Sequence, residues 1–143
     1  MGTRCNLAIM NSSLREPAHL AMPPLQLLLV DDNRDGAEML AMYLEASGHA
    51  VVVEHSAPAA LARADVQTFD ACLLDIGLPG MDGIELARRL RSLPATEAAT
   101  LIAITGYGRQ TDAGPLPAHF DHYLVKPVDP AEIVALLSGL PRL

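Results

Sequence analysis

From Leu25 onward, short aliphatic runs alternate with apolar residues set at helical spacing. Leu25–Val30 is an unbroken aliphatic run, the pattern of a strand covered on both faces. Ala37, Leu40, Ala41 and Leu44 then recur at i, i+3, i+4 and i+7, one face of a helix that Gly48 is placed to end. Ala50–Val53 predicts a second strand, and Ala57–Ala64 a second helix that tolerates Pro58 in its first turn. Ala71–Leu74 predicts a third strand. Leu86, Leu90 and Leu93 form the stripe of a third helix, opened by a capping-box pair, Asp82 and Glu85. Leu101–Ile104 and Asp121–Val125 predict the last two strands. Asp129, Pro130 and Glu132 signal one more helix start, with Ile133, Leu136, Leu137 and Leu140 facing the core. Strands and helices in this alternation predict an α/β fold, a five-stranded doubly wound parallel sheet.

Met1–Pro24 has no sustained period and contains Pro17, Pro23 and Pro24. It reads as a poorly ordered N-terminal extension (1–24) to one domain (25–143), with Met22 as an alternative start. The chain stops just after the last helix, so no appended output domain is expected.

Polar residues punctuate the strand ends. Asp31 and Asp32 follow the first run, Asp75 the third, Thr105 the fourth and Lys126 the fifth. In an open parallel sheet the carboxyl ends of all strands share one edge, where ligands bind. Three carboxylates, a hydroxyl and an ammonium are therefore expected in one crevice. Two unit charges about 4 Å apart repel by roughly 4 kcal/mol at an effective dielectric near 20. One lysine cannot neutralise three acids, whereas a hard divalent cation can. Oxygen donors with no Cys or His beside them favour Mg²⁺ over zinc. A phosphoryl group at Asp75 would meet the metal on one side and Lys126 on the other, and an aspartate can itself be the nucleophile. Each residue also has a plainer role: Asp31 and Asp32 as helix caps, Asp75 as a turn residue, Lys126 as a solvated charge, Thr105 as a strand end.

Composition narrows the field. With 143 residues the chain has room for one ordinary domain, and at 3% aromatic content its core must be aliphatic. A net charge of −7 argues against a nucleic-acid partner. No run of about 18 apolar residues predicts a membrane span. The apolar stretch Leu7–Met10 is too short for a secretory signal. Cys5 and Cys72 do not form a disulfide framework, which makes a reducing cytoplasm the expected setting. His19, His49, His55, His119 and His122 show no metal-ligand spacing and are expected in surface or turn roles.

The segments LLLVDDN, CLLDIGLPGMDGIEL, LIAITGYG and FDHYLVKPVD, in that order, resemble the receiver domain of bacterial two-component response regulators over Leu25–Leu143. The resemblance implies the flavodoxin-like receiver fold and a cytoplasmic signalling protein phosphorylated on Asp75. Asp32 would bind Mg²⁺ directly and Asp31 largely through water, with the Gly77 main-chain carbonyl as a further ligand beside Asp75. Lys126 would pair with the phosphate, and Thr105 with Tyr123 would form the switch. The Lys126–Pro127 bond is expected to be cis. The phosphoryl donor would be a histidine kinase or histidine phosphotransfer protein, and an unknown downstream protein would read the result. Such a domain turns over no separate substrate, so it is not an enzyme in the usual sense.

Two departures from the family pattern stand out. Gly77 lacks the side chain that tunes hydrolysis in many receivers, leaving Tyr107 and its loop to set water access. Between Gly108 and Phe120, Gly114, Pro115 and Pro117 oppose a regular fourth helix, since proline inside a helix costs about 3 kcal/mol. At most a turn near Arg109–Ala113 is expected, so the fourth helix is irregular or shortened. Three rivals remain: a receiver fragment of a hybrid sensor histidine kinase, an Mg²⁺-dependent phosphohydrolase with an aspartyl-phosphate intermediate, and an interaction module that is never phosphorylated. A phosphohydrolase of the haloacid-dehalogenase type would want a second acid two residues after the nucleophile, where this chain has Gly77.

Overall fold

The structure, a computed structural model, describes residues 24–77, 83–106, 110–111, 114–115 and 119–140. Along the chain run β1 (Gln26–Val30), α1 (Arg34–Ala46), β2 (Ala50–Glu54), α2 (Ala57–Ala64), β3 (Ala71–Asp75), α3 (Gly83–Arg91), β4 (Thr100–Thr105), β5 (His122–Val125) and α4 (Pro130–Ser138). The five strands pair in the order β2-β1-β3-β4-β5, all parallel. The order reverses between β1 and β3, the point at which doubly wound sheets open a crevice. The proposed division into an extension and a domain falls largely on residues 1–23, which lie outside the described ones.

The strand pleat sorts the core into two layers. Leu28 and Val30 of β1 and Cys72 and Leu74 of β3 meet α2 and α3 through Ala57, Ala60, Leu86 and Leu90. Leu27 and Leu29, with Leu73, Ile102 and Ile104, meet α1 and α4 through Ala37, Ala41, Leu44, Ile133 and Leu137. Because both faces are covered, each of β1, β3 and β4 reads as one continuous apolar run. Burial pushes the Cys72 thiol up to about 12, which leaves it a small apolar core residue rather than a nucleophile.

The helix ends mostly follow the sequence signals. Asp129 caps α4 by accepting from the Ala131 N–H at 2.9 Å, with Pro130 in the first turn. Ser56 caps α2, accepting from the Ala59 N–H. Helix α1 is capped by Asn33, whose Oδ1 accepts from the Gly36 N–H at 3.1 Å, so neither Asp31 nor Asp32 serves as its cap. Its other end closes through Gly48 at φ 105°. The Gly48 N–H donates to the Glu45 carbonyl and the His49 N–H to the Leu44 carbonyl, the paired bonds of a Schellman turn. A side chain at Gly48 would be strained there, so Gly48→Ala is expected to lose about 1 kcal/mol in urea unfolding; an unchanged midpoint would contradict this. Asp82, expected to cap α3, lies outside the described residues, while Glu85 pairs with Arg88 and Arg89.

Arg91, at the end of α3, ties down the chain that follows. Its guanidinium donates to the carbonyls of Glu97, Ala99 and His119 and to the Asp121 carboxylate at 2.7 Å. Between β4 and β5, Gln110–Thr111 pairs antiparallel with Gly114–Pro115, and no helix occurs among the described residues of that stretch. A short ladder thus stands where a turn was expected. The physical ground is the one read from the sequence: Gly114 and Pro115 disfavour helix, and proline is tolerated in a marginal edge segment.

Candidate functional site

The crevice is assembled from four neighbouring strand ends. Asp31 is the first residue past β1, Asp75 the last of β3, Thr105 the last of β4 and Lys126 the first past β5. Ligand atoms of Asp31, Asp32 and Asp75 lie within 4.8 Å of one another. Lys126 Nζ stands 3.3 Å from Asp75 Oδ2 and 3.6 Å from Asp31 Oδ2. The fold thus brings together the three acids and the lysine, residues separated by up to 95 positions of chain. Lys126 is positioned by its own backbone, its N–H donating to the Thr105 carbonyl at 2.8 Å, and the Lys126–Pro127 peptide is cis.

Burial differs around the cluster. Asp75 is buried, Asp31 and Lys126 are half-buried, and Asp32 is exposed. Asp75 Oδ1 accepts from the Gly77 N–H at 2.9 Å, so the contact described for Gly77 is through its amide. The Asp31 carboxylate accepts from the Asn33 N–H at 2.9 Å, which folds the loop back over the strand end. Thr105 is buried at the end of β4. Tyr123, half-buried on β5, packs beside Phe120 with ring centroids 6.2 Å apart. Tyr107 lies outside the described residues.

Electrostatics fit a site made for positive charge. Burial raises the Asp31 carboxyl above its ordinary value; the Asn33 N–H and Lys126 oppose that rise, while the charge of Asp75 adds to it. Burial disfavours the Lys126 ammonium, but Asp31 and Asp75 more than offset this and its pKa is raised overall. Among the described residues, one lysine against three carboxylates leaves the cluster short of cations. The donor set among the described residues is three carboxylates without Cys or His, which fits a hard oxygen-seeking divalent ion such as Mg²⁺.

A carboxyl whose pKa is raised in the fold takes up its proton there first. Its contribution to stability therefore falls as pH climbs from 3.8, its ordinary value, through the raised one. Asp31→Asn removes the charge and keeps an oxygen for the Asn33 N–H. Without metal, the variant is expected to melt above the wild type at neutral pH, the difference closing below pH 3.8. Thermal unfolding across pH checks this, and a wild type that melts at or above the variant at pH 7 would contradict it.

Sequence reasoning overlooked two residues at the site. Gly83, the first residue of α3, packs so closely that a Cβ would stand 2.5 Å from the Asp75 carbonyl oxygen. A small residue opening a helix was the available signal. His55, expected in a surface or turn role, places its Nδ1 2.9 Å from the Asp31 carbonyl. No spacing rule could have found it, because the contact joins two loops 24 residues apart.

Comparison with known proteins agrees with this geometry. Residues 27–138 match the family described as response regulator receiver domain. An uncharacterized 14.6 kDa protein in the sodA1 3′ region of Leptolyngbya boryana is 38% identical over 115 residues, 80% of this chain and 88% of that one. The transcriptional regulatory protein ResD of Bacillus subtilis (strain 168) is 34% identical over 118 residues, 82% of this chain and 48% of its own length. The chain thus spans about half of ResD. A receiver domain structure (CheY-like) from Methylobacillus flagellatus superposes with TM-score 0.72 at 29% identity, covering 82% of this chain and 99% of that one. The receiver domain of sensor histidine kinase PA1611 from Pseudomonas aeruginosa PAO1, solved with a magnesium ion coordinated in its active site cleft, superposes with TM-score 0.73 at 30% identity, covering 80% and 94%. By sequence, sheet order and the placement of its acidic cluster, the chain belongs to the response regulator receiver domain family, and with it to phosphorylation-based two-component signalling.

Proposed function

We propose that the chain is a phospho-accepting switch in which Asp75 receives a phosphoryl group from a histidine kinase or histidine phosphotransfer protein. A carboxylate oxygen of Asp75 attacks phosphorus, the P–N bond to the donor imidazole breaks, and an acyl phosphate forms on Asp75. The observation that carries this most is Lys126 Nζ, 3.3 Å from Asp75 Oδ2, within a cluster of three carboxylates at one sheet edge. Lys126 exchanges its carboxylate partner for a phosphoryl oxygen, and the Thr105 hydroxyl donates to another. Asp31, Asp32, Asp75 and the Gly77 carbonyl would hold Mg²⁺, which when bound supplies the positive charge that offsets the acids and the incoming phosphate. Thr105 and Tyr123 form the switch, shifting a two-state equilibrium that a downstream protein reads. The receiver unit is taken as Leu25–Leu143, with the residues before it as an extension.

Incubation with acetyl phosphate tests this by intact mass, with Mg²⁺ or with chelator. The wild type is expected to gain the mass of one phosphoryl group only with Mg²⁺; no gain would overturn the assignment. A receiver fragment of a hybrid sensor kinase is the second reading, favoured by the 30% identity to the PA1611 receiver. The full gene distinguishes the two by the presence or absence of kinase sequence upstream. At Gly77 the chain offers an amide rather than an acid, which speaks against the phosphohydrolase.

A further inference from the structure

His55 is the first residue past β2, and its Nδ1 lies 2.9 Å from the Asp31 main-chain oxygen. A carbonyl only accepts, so Nδ1 carries the proton and donates. That carbonyl belongs to the rigid peptide plane joining Asp31 to Asp32. Rotating that plane about the Asp31 Cα–C bond would carry the Asp32 α-carbon, and with it the Asp32 carboxylate, out of its place in the cluster. The end of β2 also holds the preceding amide, since the Asp31 N–H donates to the Glu54 carbonyl at 3.1 Å. On the far side, Asp31 Oδ1 accepts from the Asn33 N–H at 2.9 Å. Mutual repulsion pushes the clustered acids apart, and these bonds resist it.

We propose that His55 is a positioning residue: its Nδ1–H fixes the Asp31–Asp32 peptide and keeps both carboxylates converged with Asp75 on a divalent cation. It touches none of the reacting atoms and acts through the main chain of Asp31. The role rests on the receiver reading above.

The test is Mg²⁺ titration of the full chain, followed by amide NMR shifts. Loss of this hydrogen bond in His55→Leu is expected to weaken Mg²⁺ binding by about three- to tenfold. His55→Asn, whose Nδ2–H occupies the place of the imidazole Nδ1–H, is expected to stay within about twofold of the wild type. Should His55→Leu fail to fold, His55→Ser replaces it, being polar but too short to span the gap. His55→Leu (or its Ser stand-in) binding within about twofold of the wild type, or His55→Asn binding as weakly as His55→Leu, would overturn the positioning role alone. A wild type that takes up no Mg²⁺ would overturn the receiver reading, and this role with it.

Discussion

Asp75→Asn is expected to take up no phosphoryl group from acetyl phosphate with Mg²⁺, under conditions that modify the wild type. The amide is a poor nucleophile and cannot form the acyl phosphate. The loss is not expected to come from unfolding. An amide oxygen still accepts from the Gly77 N–H, the contact made by Asp75 Oδ1 at 2.9 Å. Removing one of the clustered charges also relieves Asp31, whose carboxyl the charge of Asp75 helps to raise. The variant loses the Lys126–Asp75 pair but leaves Lys126 its Asp31 partner at 3.6 Å, so it should melt close to the metal-free wild type while its phosphorylation falls to background. Intact mass and thermal unfolding on one preparation separate the two effects. Modification of Asp75→Asn at the wild-type level would place the acceptor elsewhere.

Gly83→Ala carries the second large effect, because the obstruction is backbone rather than a flexible side chain. The added carbon would stand 2.5 Å from the Asp75 carbonyl oxygen, 2.8 Å from Ile76 Cα and 3.1 Å from the Asp75 carbonyl carbon. The Gly83 N–H also donates to the Ile76 carbonyl at 3.1 Å, which holds the two segments in register. Either the start of α3 retreats or the end of β3 yields, at roughly 1–3 kcal/mol for overpacking. Better helix propensity returns at most about 1 kcal/mol. A shift at β3 moves the Asp75 carboxylate relative to Lys126. Misplacement of about 1 Å can slow a reaction by on the order of a hundredfold. Urea unfolding should show the lost stability, and acetyl phosphate time courses a phosphorylation rate at least about tenfold lower. Stability and rate both at wild-type values would show that the close approach is relieved without consequence.

The legible part of the molecule was whatever local periodicity and strand-end chemistry encode. The five strands appear where aliphatic runs placed them, with ends differing by a residue or so: Leu25–Val30 against Gln26–Val30, Ala71–Leu74 against Ala71–Asp75. Parallel strands buried on both faces leave an unbroken apolar signature, which is why β1, β3 and β4 are unmistakable. The same rule made the acids readable, since every strand of such a sheet ends at one edge. The cap of α1 was not readable in this way. Asp31, Asp32 and Asn33 are all good capping residues; Asn33 takes the position, while the Asp31 carboxylate is held at the strand end by the Asn33 N–H.

By itself, then, the sequence determined the sheet, its helices and which side chains gather at its carboxyl edge, because these follow from period and from the polarity of strands. Tertiary structure decided the fine placement: Gly83 pressed against the Asp75 backbone, His55 reaching the Asp31 carbonyl, Arg91 gathering carbonyls from Glu97, Ala99 and His119. Such contacts join main-chain atoms of distant segments. A main-chain carbonyl is the same at every position, so no pattern of residue types along the chain announces which one a histidine or an arginine will find.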